Sequence, residues 1–446
     1  MQSCDTLALG KDFYVGCKPF FGKNSDRPLG ECQPLLYAPA ADHAPGEMLR
    51  CTHLTIPQVS HTHAVIGSCP YWIWGFEMGM NDQGLVIGNE AQGSRCDPET
   101  VEGLLGMDML RLALERCATA REAVECISTL LETYGQNANA SALYDRRYEN
   151  AFLAVDKKEI WLMETAGRQW AAKRIADWRA ISNCYSIETD FDLCSKDMEN
   201  YARQRRWLAN SEPMNFAKAY TAAGERQPRA VPRWRRMCKL IASHTEPLTR
   251  EDVKQILRDH FEGEINEPRL GATFGTFLSV CMHAMCWDSS QTAASMLWEW
   301  DDTLGPIVRY APSIPCLSVY LPLYFTGYLP EMLTTGGEKF DENSLWWQFE
   351  RLAMAVSIDE DRFGADVRDQ LRALEAELAR KADTAEATGD KNVLNALMDQ
   401  AVEQAAGLAR KLWGQIAAAV RDEGGLYGPR KEFLESYCNR TDLPLL

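Results

Sequence analysis

Residues 4–10 read CDTLALG, and residues 21–28 read FGKNSDRP, near the beginning of a chain of 446 residues. The apolar and β-prone residues on either side of the turn at 10–12 predict two strands, residues 4–9 and 13–23. Pro28 and Gly30 predict that residues 24–28 leave the sheet as a loop. A hairpin of this kind would bring Asp26, in that loop, back beside Cys4.

Cys4 is a candidate nucleophile because a thiolate attacks a carbonyl far better than a thiol does. A cysteine at a chain terminus carries its own base, since an α-amine titrates at roughly 7.7–8.0 and a thiol near about 8.5. This amine is free only after removal of residues 1–3, so we expect a short leader there. The alternative is that Cys4 is a small buried hydrophobe in the first strand.

The composition is that of an ordinary globular protein, with 46% hydrophobic and 25% charged residues. The length allows one large domain with an appendage, or two domains. A net charge of −16 argues against nucleic acid and against an anionic membrane surface as partners. The fifteen cysteines include no CxxC pair, which is typical of reduced thiols in a cytoplasmic protein.

Metal-binding and targeting motifs are not found in the sequence. His61 and His63 would share one face of a strand, but no HExxH and no short Cys/His spacing accompanies them. We therefore predict no metal and no organic cofactor. The first residues do not have the pattern of a signal peptide, and the apolar stretch 317–329 is short and interrupted by Pro322. We expect a soluble, cytoplasmic protein.

The pattern of elements predicts an α+β fold. Helices are expected at 101–116 and 119–134, the second opened by a capping box at Thr119. Strands at 151–155, 160–165 and 169–175 form an antiparallel meander, and a further strand at 179–187 carries Asn183. Further predicted elements are helices at 195–208 and 249–261 and strands at 274–283, 293–300, 306–310 and 317–325. After residue 340, helices at 342–356, 361–384 and 391–421 predict a helical extension. Antiparallel sheets covered by helices on their outer faces satisfy this order.

Several polar residues complete a candidate site around Cys4. Asp26 would orient the Cys4 ammonium, and Lys23 would favour the thiolate electrostatically. Asn81 and Asn183 would donate hydrogen bonds to an oxyanion. Each has a structural alternative: a turn cap for Asp26, a solvated strand end for Lys23, and a turn residue for each asparagine.

An aromatic stretch at residues 71–76 supplies a candidate substrate-binding wall. Trp72, Trp74 and Phe76 would line an apolar pocket, or they pack in the core. The two interpretations do not exclude one another.

Taken together, these motifs resemble the secernin family. The matching segments are FGKNSDRP at 21–28, WGFEMGMNDQG at 74–84, GNEA at 88–91, LLGMD at 104–108, ETAGRQWAA at 164–172 and VCMH at 280–283. The secernins are similar to the bacterial cysteine dipeptidases and belong with them among the N-terminal-nucleophile hydrolases. The resemblance runs in order through residues 4–330.

The resemblance implies a four-layer αββα fold at residues 4–335, followed by the helical extension at 336–446. It also implies removal of the short leader and hydrolysis of amide bonds. By similarity to the more distant penicillin V acylases and bile-salt hydrolases, Cys4 is the nucleophile and Asp26 lies near its α-amine. The same similarity implies that Asn81 contributes its backbone N–H, and Asn183 its side-chain amide, to the oxyanion hole. Lys23 stands where that group has arginine. Those enzymes have a further arginine late in the domain, which no motif of this sequence matches.

Three functions remain open at this point. The first is a dipeptidase that cleaves small peptides. The second is an acylase that cleaves N-acyl amides, for which the aromatic wall would suit an apolar acyl group. The third is a non-catalytic, secernin-like scaffold. Oligomers are common in this superfamily, so a homo-oligomer is an expected partner.

Overall fold

A computed structural model of the protein describes residues 3–222, 227–264, 267, 279–284 and 289–446. The strands in these ranges are β1 (Ser3–Leu9), β2 (Phe20–Pro28), β3 (Leu35–Ala38), β4 (Ala41–Asp42), β5 (Met48–Arg50), β6 (Thr55–Pro57), β7 (His61–Thr62), β8 (Val65–Ser68), β9 (Met78–Asn81), β10 (Val86–Gln92), β11 (Glu149–Val155), β12 (Ile160–Ala166), β13 (Gln169–Ile175), β14 (Trp178–Ile181), β15 (Leu193–Cys194), β16 (Ser290–Asp301), β17 (Gly305–Pro312) and β18 (Leu321–Tyr324). The helices are α1 (Gly106–Arg116), α2 (Ala120–Tyr134), α3 (Met198–Gln204), α4 (Phe216–Tyr220), α5 (Gln227–Ser243), α6 (Arg250–Leu257), α7 (Glu331–Thr334), α8 (Leu345–Val356), α9 (Glu360–Glu386), α10 (Lys391–Asp422) and α11 (Lys431–Thr441), with a 3₁₀ turn at Pro315–Leu317.

The described residues form two compact units. The N-terminal unit consists of Ser3–Lys23 and Tyr37–Asp252, and the C-terminal unit of Asn24–Leu36 and Val253–Leu446. The C-terminal helices belong to the same compact unit as β16 to β18. The division of the chain into residues 4–335 and 336–446 stays a prediction.

The N-terminal unit is built on antiparallel pairing. Its large sheet has the strand order β15-β13-β12-β11-β10-β9-β8-β3, and the predicted meander at 151–175 is confirmed as β11 to β13. In the same unit β1 pairs antiparallel with β14 on one side and lies next to β2 on the other. All seven residues of β1 are buried, because the strand has structure on both faces.

The layers of this unit follow the order helix, sheet, sheet, helix. Helices α1 and α2 pack on the outer face of the large sheet, β1 packs on its inner face, and α5 covers β1 and β14. Helix α2 begins with the predicted capping box, in which Thr119 accepts from the N–H of Glu122. The α+β class, the αββα layering and the C-terminal helical region are therefore confirmed.

The C-terminal unit combines an antiparallel sheet with long helices. Strands β16, β17 and β18 pair antiparallel, with the end of β2 beside β16. Helices α8, α9 and α10 pack on one another and on this sheet. Val367, Leu371, Leu374 and Leu378 form the buried stripe of α9, at the helical spacing that the sequence indicated.

Several local predictions differ from the structure. The strand predicted at residues 13–23 begins only at Phe20, and the predicted strand that was to carry Asn183 ends at Ile181, so Asn183 follows β14. Residues 24–28 were predicted as a loop but continue β2. The reason is that their polar side chains have buried partners in the C-terminal unit. For example, Nδ2 of Asn24 donates to the carbonyls of Leu257 and Val280 at 2.8 and 2.9 Å. Of the predicted strand at 274–283, residues 274–278 lie outside the described residues and 279–283 are not a strand. No helix of the described part of the chain is long and apolar enough to span a bilayer.

Candidate active site

Cys4 lies in the buried strand β1, and its neighbours follow from the alternation of side chains along that strand. Thr6, on the same face, donates a hydrogen bond to the carboxylate of Glu90 in β10. Asp5 points to the opposite face, where its carboxylate lies 3.5 Å from Nε of Arg233. The backbone N–H of Cys4 donates to Oδ1 of Asn183 at 3.0 Å.

Asn183 is held in one orientation by its hydrogen bonds. Its Nδ2 donates to the carbonyl of Ala91 at 2.9 Å, and its Oδ1 accepts from Nη2 of Arg233 at 2.7 Å. A guanidinium can only donate, so the oxygen of the amide must face Arg233 and the nitrogen of Cys4. The structure thus brings Cys4 and Asn183 together, through the side-chain oxygen. The role of the Asn183 amide as oxyanion donor stays a prediction.

Lys23 is fully buried beside Cys4, not at a solvated strand end. Its Nζ donates to the carbonyl of Asn89 at 2.7 Å and lies 3.4 Å from Oε1 of Glu90. Gly88 leaves room for the side chain: a Cβ there would lie 2.6 Å from Cδ of Lys23. The GNEA segment of the sequence therefore shapes the environment of Lys23.

The charge of Lys23 is stabilised by its surroundings. Burial alone would lower the pKa of Lys23. Negative charge on Cys4, and then the carboxylates of Glu90 and Glu77, outweigh burial and raise that pKa well above its ordinary value. An ammonium that stays charged next to the sulfur favours the thiolate over the thiol.

Glu77 is an acidic neighbour of Cys4 that the sequence analysis did not identify. Its Oε2 lies 3.9 Å from Sγ of Cys4, and the residue is almost entirely buried. Burial raises the pKa of the nearby Glu90, while Lys23 and Thr6 oppose that rise. The sulfur therefore has a buried carboxyl group, Glu77, and the buried ammonium of Lys23 among its neighbours, and Glu90 binds that ammonium.

Arg233, on α5, is a second residue that sequence reasoning did not identify. Only 1% of it is exposed, and Nη2 also donates to Oγ of Ser182 at 2.8 Å. Pro228 and Pro232 in this segment obscured the helix, because proline argues against a helix interior. Arg233 is the basic residue of this segment whose burial is visible only in the fold, since Arg235 and Lys239 are exposed.

Asn81 has a structural role in the turn between β9 and β10. Its N–H donates to the carbonyl of Leu85 at 2.9 Å, and its Nδ2 donates to the carbonyls of Leu114 and Cys117 at 2.8 and 2.7 Å. The side chain thereby connects the turn to the C-terminus of α1. A part in oxyanion binding stays a prediction, and the N–H would have to leave Leu85 to fulfil it.

Asp26 lies in the C-terminal unit. It is fully buried, and its Oδ1 accepts a hydrogen bond from Oγ1 of Thr292 at 2.7 Å. Its predicted position near the α-amine of Cys4 stays a prediction.

The three candidate aromatic residues differ in their surroundings. Phe76 belongs to the core, because a Cβ at Gly67 would lie 2.2 Å from its ring. Arg111 stacks over the ring of Trp74 at 4.1 Å. Nε1 of Trp72 is buried, and none of the described residues accepts its hydrogen. A substrate-binding wall made of these residues stays a prediction.

Comparison with known proteins shows the family. The model of Peptidase family C69 matches residues 77–372, more than half of the chain. The chain is 24% identical to a dipeptidase of Bifidobacterium longum over 335 residues, which is 60% of each chain. It is 27% identical to a probable dipeptidase B of Lactococcus lactis over 202 residues, 39% of this chain and 40% of that protein. The alignments thus span less than two thirds of these relatives.

Solved structures with a similar course of the chain were also found. A mutant of the conjugated bile acid hydrolase from Clostridium perfringens has a TM-score of 0.39 at 13% identity, covering 76% of this chain and 95% of that one. An N-acylethanolamine-hydrolyzing acid amidase ortholog from Caenorhabditis elegans has a TM-score of 0.32 at 9% identity, covering 66% and 92%.

The fold is of the α+β class with αββα layering, and its N-terminal unit contains a buried cysteine site. The protein belongs to Peptidase family C69. This family membership confirms the resemblance to the cysteine dipeptidases that the motifs suggested.

Proposed function

We propose that the protein is a cysteine-type amidohydrolase that cleaves dipeptides, with Cys4 as its nucleophile. One observation carries the proposal: the nitrogen and the sulfur of Cys4 each have a dedicated buried partner, Asn183 for the nitrogen and Lys23 for the sulfur. Any buried backbone N–H needs a partner, but a cysteine that merely fills the core does not need a buried ammonium beside its sulfur. Membership of Peptidase family C69 and the dipeptidases among its relatives support the same function.

The reaction would start after the leader, residues 1–3, has been removed and the α-amine of Cys4 is free. Oδ1 of Asn183 would hold that amine where it now accepts from the amide N–H. The thiolate of Cys4 attacks the peptide carbonyl and forms a tetrahedral oxyanion. The C–N bond then breaks, the α-ammonium gives its proton to the departing amine, and a thioester remains. Water attacks the thioester carbonyl and loses a proton to the α-amine. The C–S bond then breaks, which releases the acid and restores the thiolate of Cys4.

Arg233 is our candidate for the late-domain arginine that the resemblance implied. It donates to Oδ1 of Asn183, the same atom that holds the nitrogen of Cys4. In the proposed reaction it is a positioning residue, because it fixes the orientation of the Asn183 amide. Lys23 would act on the sulfur by favouring the thiolate.

The first test is the intact mass of the purified protein, before and after reaction with a thiol electrophile. We expect a chain that begins at Cys4 and is modified at Cys4. A matched control is Cys69→Ser, since Cys69 is also a buried free cysteine of the N-terminal unit. Labelling at position 4 should be absent in Cys4→Ser, where the exposed thiols Cys17 and Cys194 still react, and present in Cys69→Ser. A folded chain that retains residues 1–3 and leaves Cys4 unlabelled would contradict the proposal.

The second test is a substrate panel of dipeptides and N-acyl amino acids. Cleavage of dipeptides, lost in Cys4→Ser and kept in Cys69→Ser, supports the proposed function. Cleavage of N-acyl amides alone would show that the protein is an acylase and not a dipeptidase. No hydrolysis of either class, with every binding property of the protein unchanged in Cys4→Ser, would favour the scaffold.

A further inference from the structure

Four side chains of metal-binding type converge in the C-terminal unit: His260, Cys281, His283 and Cys316. One ligand atom from each lies within 4.8 Å of all the others. His260 follows α6, Cys281 and His283 lie in the segment 279–284, and Cys316 lies in the 3₁₀ turn. Three of the four are buried, and His283 is half-buried. The proposed hydrolysis uses none of them.

Three of the six distances between ligand atoms are close to those of a tetrahedral site. Nε2 of His260 lies 3.2 Å from Nε2 of His283, which in turn lies 3.2 Å from Sγ of Cys316 and 3.8 Å from Sγ of Cys281. Zinc bonds of about 2.0–2.1 Å to nitrogen and about 2.3 Å to sulfur would separate two nitrogens by about 3.3 Å and a nitrogen and a sulfur by about 3.5 Å. One ion therefore fits among these four atoms.

The carboxylate of Glu262 orients the first histidine. Its Oε1 lies 3.0 Å from Nδ1 of His260, and its Oε2 accepts from the N–H of His260 at 2.8 Å. A carboxylate accepts hydrogen bonds, so Nδ1 carries a proton and Nε2 is the nitrogen of this ring that faces the cluster. Metal-binding histidines commonly have such a carboxylate partner on their other nitrogen.

We propose that His260, Cys281, His283 and Cys316 bind one Zn²⁺ ion in a closed tetrahedral site. Two thiolates and two imidazoles form the donor set that tetrahedral Zn²⁺ takes in structural sites. With four protein ligands no coordination position is left for a substrate, so the ion is structural. It would join three segments that are separate in the sequence.

The site would also act on the position of Asp26. The N–H of Met282, between Cys281 and His283, donates to Oγ1 of Thr292 at 3.0 Å, and Oγ1 of Thr292 donates to Oδ1 of Asp26 at 2.7 Å. A zinc ion that fixes the segment at Met282 would therefore fix the hydroxyl that holds Asp26. This consequence rests on the function proposed above, whereas the zinc site itself does not.

The test uses the full chain, purified under reducing conditions without chelators or metal-affinity resins. Elemental analysis should find about one Zn²⁺ per chain. After exchange for Co²⁺, we expect the thiolate-to-cobalt absorption bands and the strong visible bands of tetrahedral cobalt. Both readouts are independent of catalysis and need no variant. Failure of the reduced protein to take up Zn²⁺ or Co²⁺, a cobalt spectrum without thiolate bands, or a Cys281–Cys316 disulfide in the purified chain would overturn the site.

Variants locate the ion. Cys281→Ser and Cys316→Ser should each reduce the thiolate-to-cobalt absorption by about half, since each removes one of two sulfur ligands. Cys32→Ser is the matched control, because Cys32 is a buried free cysteine of the same unit. Glu262→Gln keeps all four ligands and should weaken zinc affinity by about ten-fold. Full thiolate absorption in both ligand variants would also overturn the proposal.

Discussion

The backbone nitrogen of Cys4 and the side-chain oxygen of Asn183 are hydrogen-bonded at 3.0 Å, although 179 positions separate the residues in the chain. The same oxygen accepts a hydrogen bond from Arg233, and the amide nitrogen of Asn183 donates to the carbonyl of Ala91. The nitrogen of the candidate nucleophile is therefore positioned by a fully oriented side chain. This relationship leads directly to the first prediction.

Asn183→Ala should lower kcat by about 10²-fold, because a nitrogen that is no longer held leaves its productive position. Asn183→Asp separates the two possible roles, since it keeps an oxygen toward Cys4 and removes the amide hydrogens. If the oxygen is what matters, Asn183→Asp keeps much more activity than Asn183→Ala. Equal losses in both variants would instead support oxyanion donation by the amide. Asn215→Ala, which removes only the N-cap of α4, is the control.

Lys23→Met should slow alkylation of Cys4 at neutral pH by about ten-fold and move the midpoint of its pH profile upward. The reason is that the buried ammonium favours the thiolate, and methionine has a similar length without the charge. Lys157→Met, at an exposed turn, should leave the profile unchanged. A profile of Lys23→Met that coincides with that of the wild type would show that Lys23 has only a packing role.

Glu77→Gln should have the opposite effect. The carboxylate 3.9 Å from Sγ disfavours negative charge on the sulfur, so its neutral isostere should move the alkylation midpoint to lower pH. The rate at neutral pH should rise by about two- to ten-fold. The measurement is the pH dependence of labelling, with Glu102→Gln, a part-exposed carboxylate, as control. An upward shift would mean that Glu77 acts as a base toward Cys4.

The buried pair Asp5 and Arg233 should be strongly coupled in stability. Arg233→Met leaves the charge of Asp5 buried and should lower the free energy of unfolding by about 3–5 kcal/mol. In the double variant with Asp5→Asn the loss should be much smaller, because the orphan charge is also removed. Denaturant unfolding of the wild type, both single variants and the double variant measures the coupling. Additive losses would contradict it.

Asp108 should make stability depend on pH. Burial raises its pKa to about 6 from 3.8, against the opposing hydrogen bonds from Thr52. Between these two values the folded state binds more protons than the unfolded state, so stability falls as pH rises from about 4 to about 6. Below about pH 4 the protonated carboxyl makes its full contribution to the stability of the folded state.

The measurement compares denaturant unfolding of the wild type and Asp108→Asn across this range. Asparagine can accept from the N–H of Thr52 and donate to its hydroxyl oxygen, so the contacts are kept without the titration. We expect Asp108→Asn to gain on the order of 2–3 kcal/mol relative to the wild type between pH 4 and pH 7. A constant difference between the two proteins would show that Asp108 does not titrate in this window.

Local sequence was sufficient for elements whose own residues specify them. The capping box at Thr119, the antiparallel meander at 151–175 and the amphipathic helices after residue 340 were all predicted near their observed bounds. In each case the periodicity of apolar residues and the turn chemistry agree with the final burial. The prediction failed at residues 24–28, where Pro28 and Gly30 suggested a loop but tertiary partners of the polar side chains keep them in β2.

The sequence by itself determined which family this chain belongs to and which cysteine to examine, because ordered motifs and a cysteine near the start can be recognised without coordinates. Only the tertiary structure decided which groups surround that cysteine. Glu77, in the segment before β9, lies beside its sulfur, and Glu90 of β10 binds Thr6 and Lys23. Arg233, on a helix that the sequence obscured, binds the Asn183 oxygen that holds its nitrogen. The cluster of His260, Cys281, His283 and Cys316 is likewise assembled from three segments. The physical reason is the same in both cases: the pKa of a thiol and the binding of a metal depend on distances of a few ångströms, which only the packing of distant segments sets.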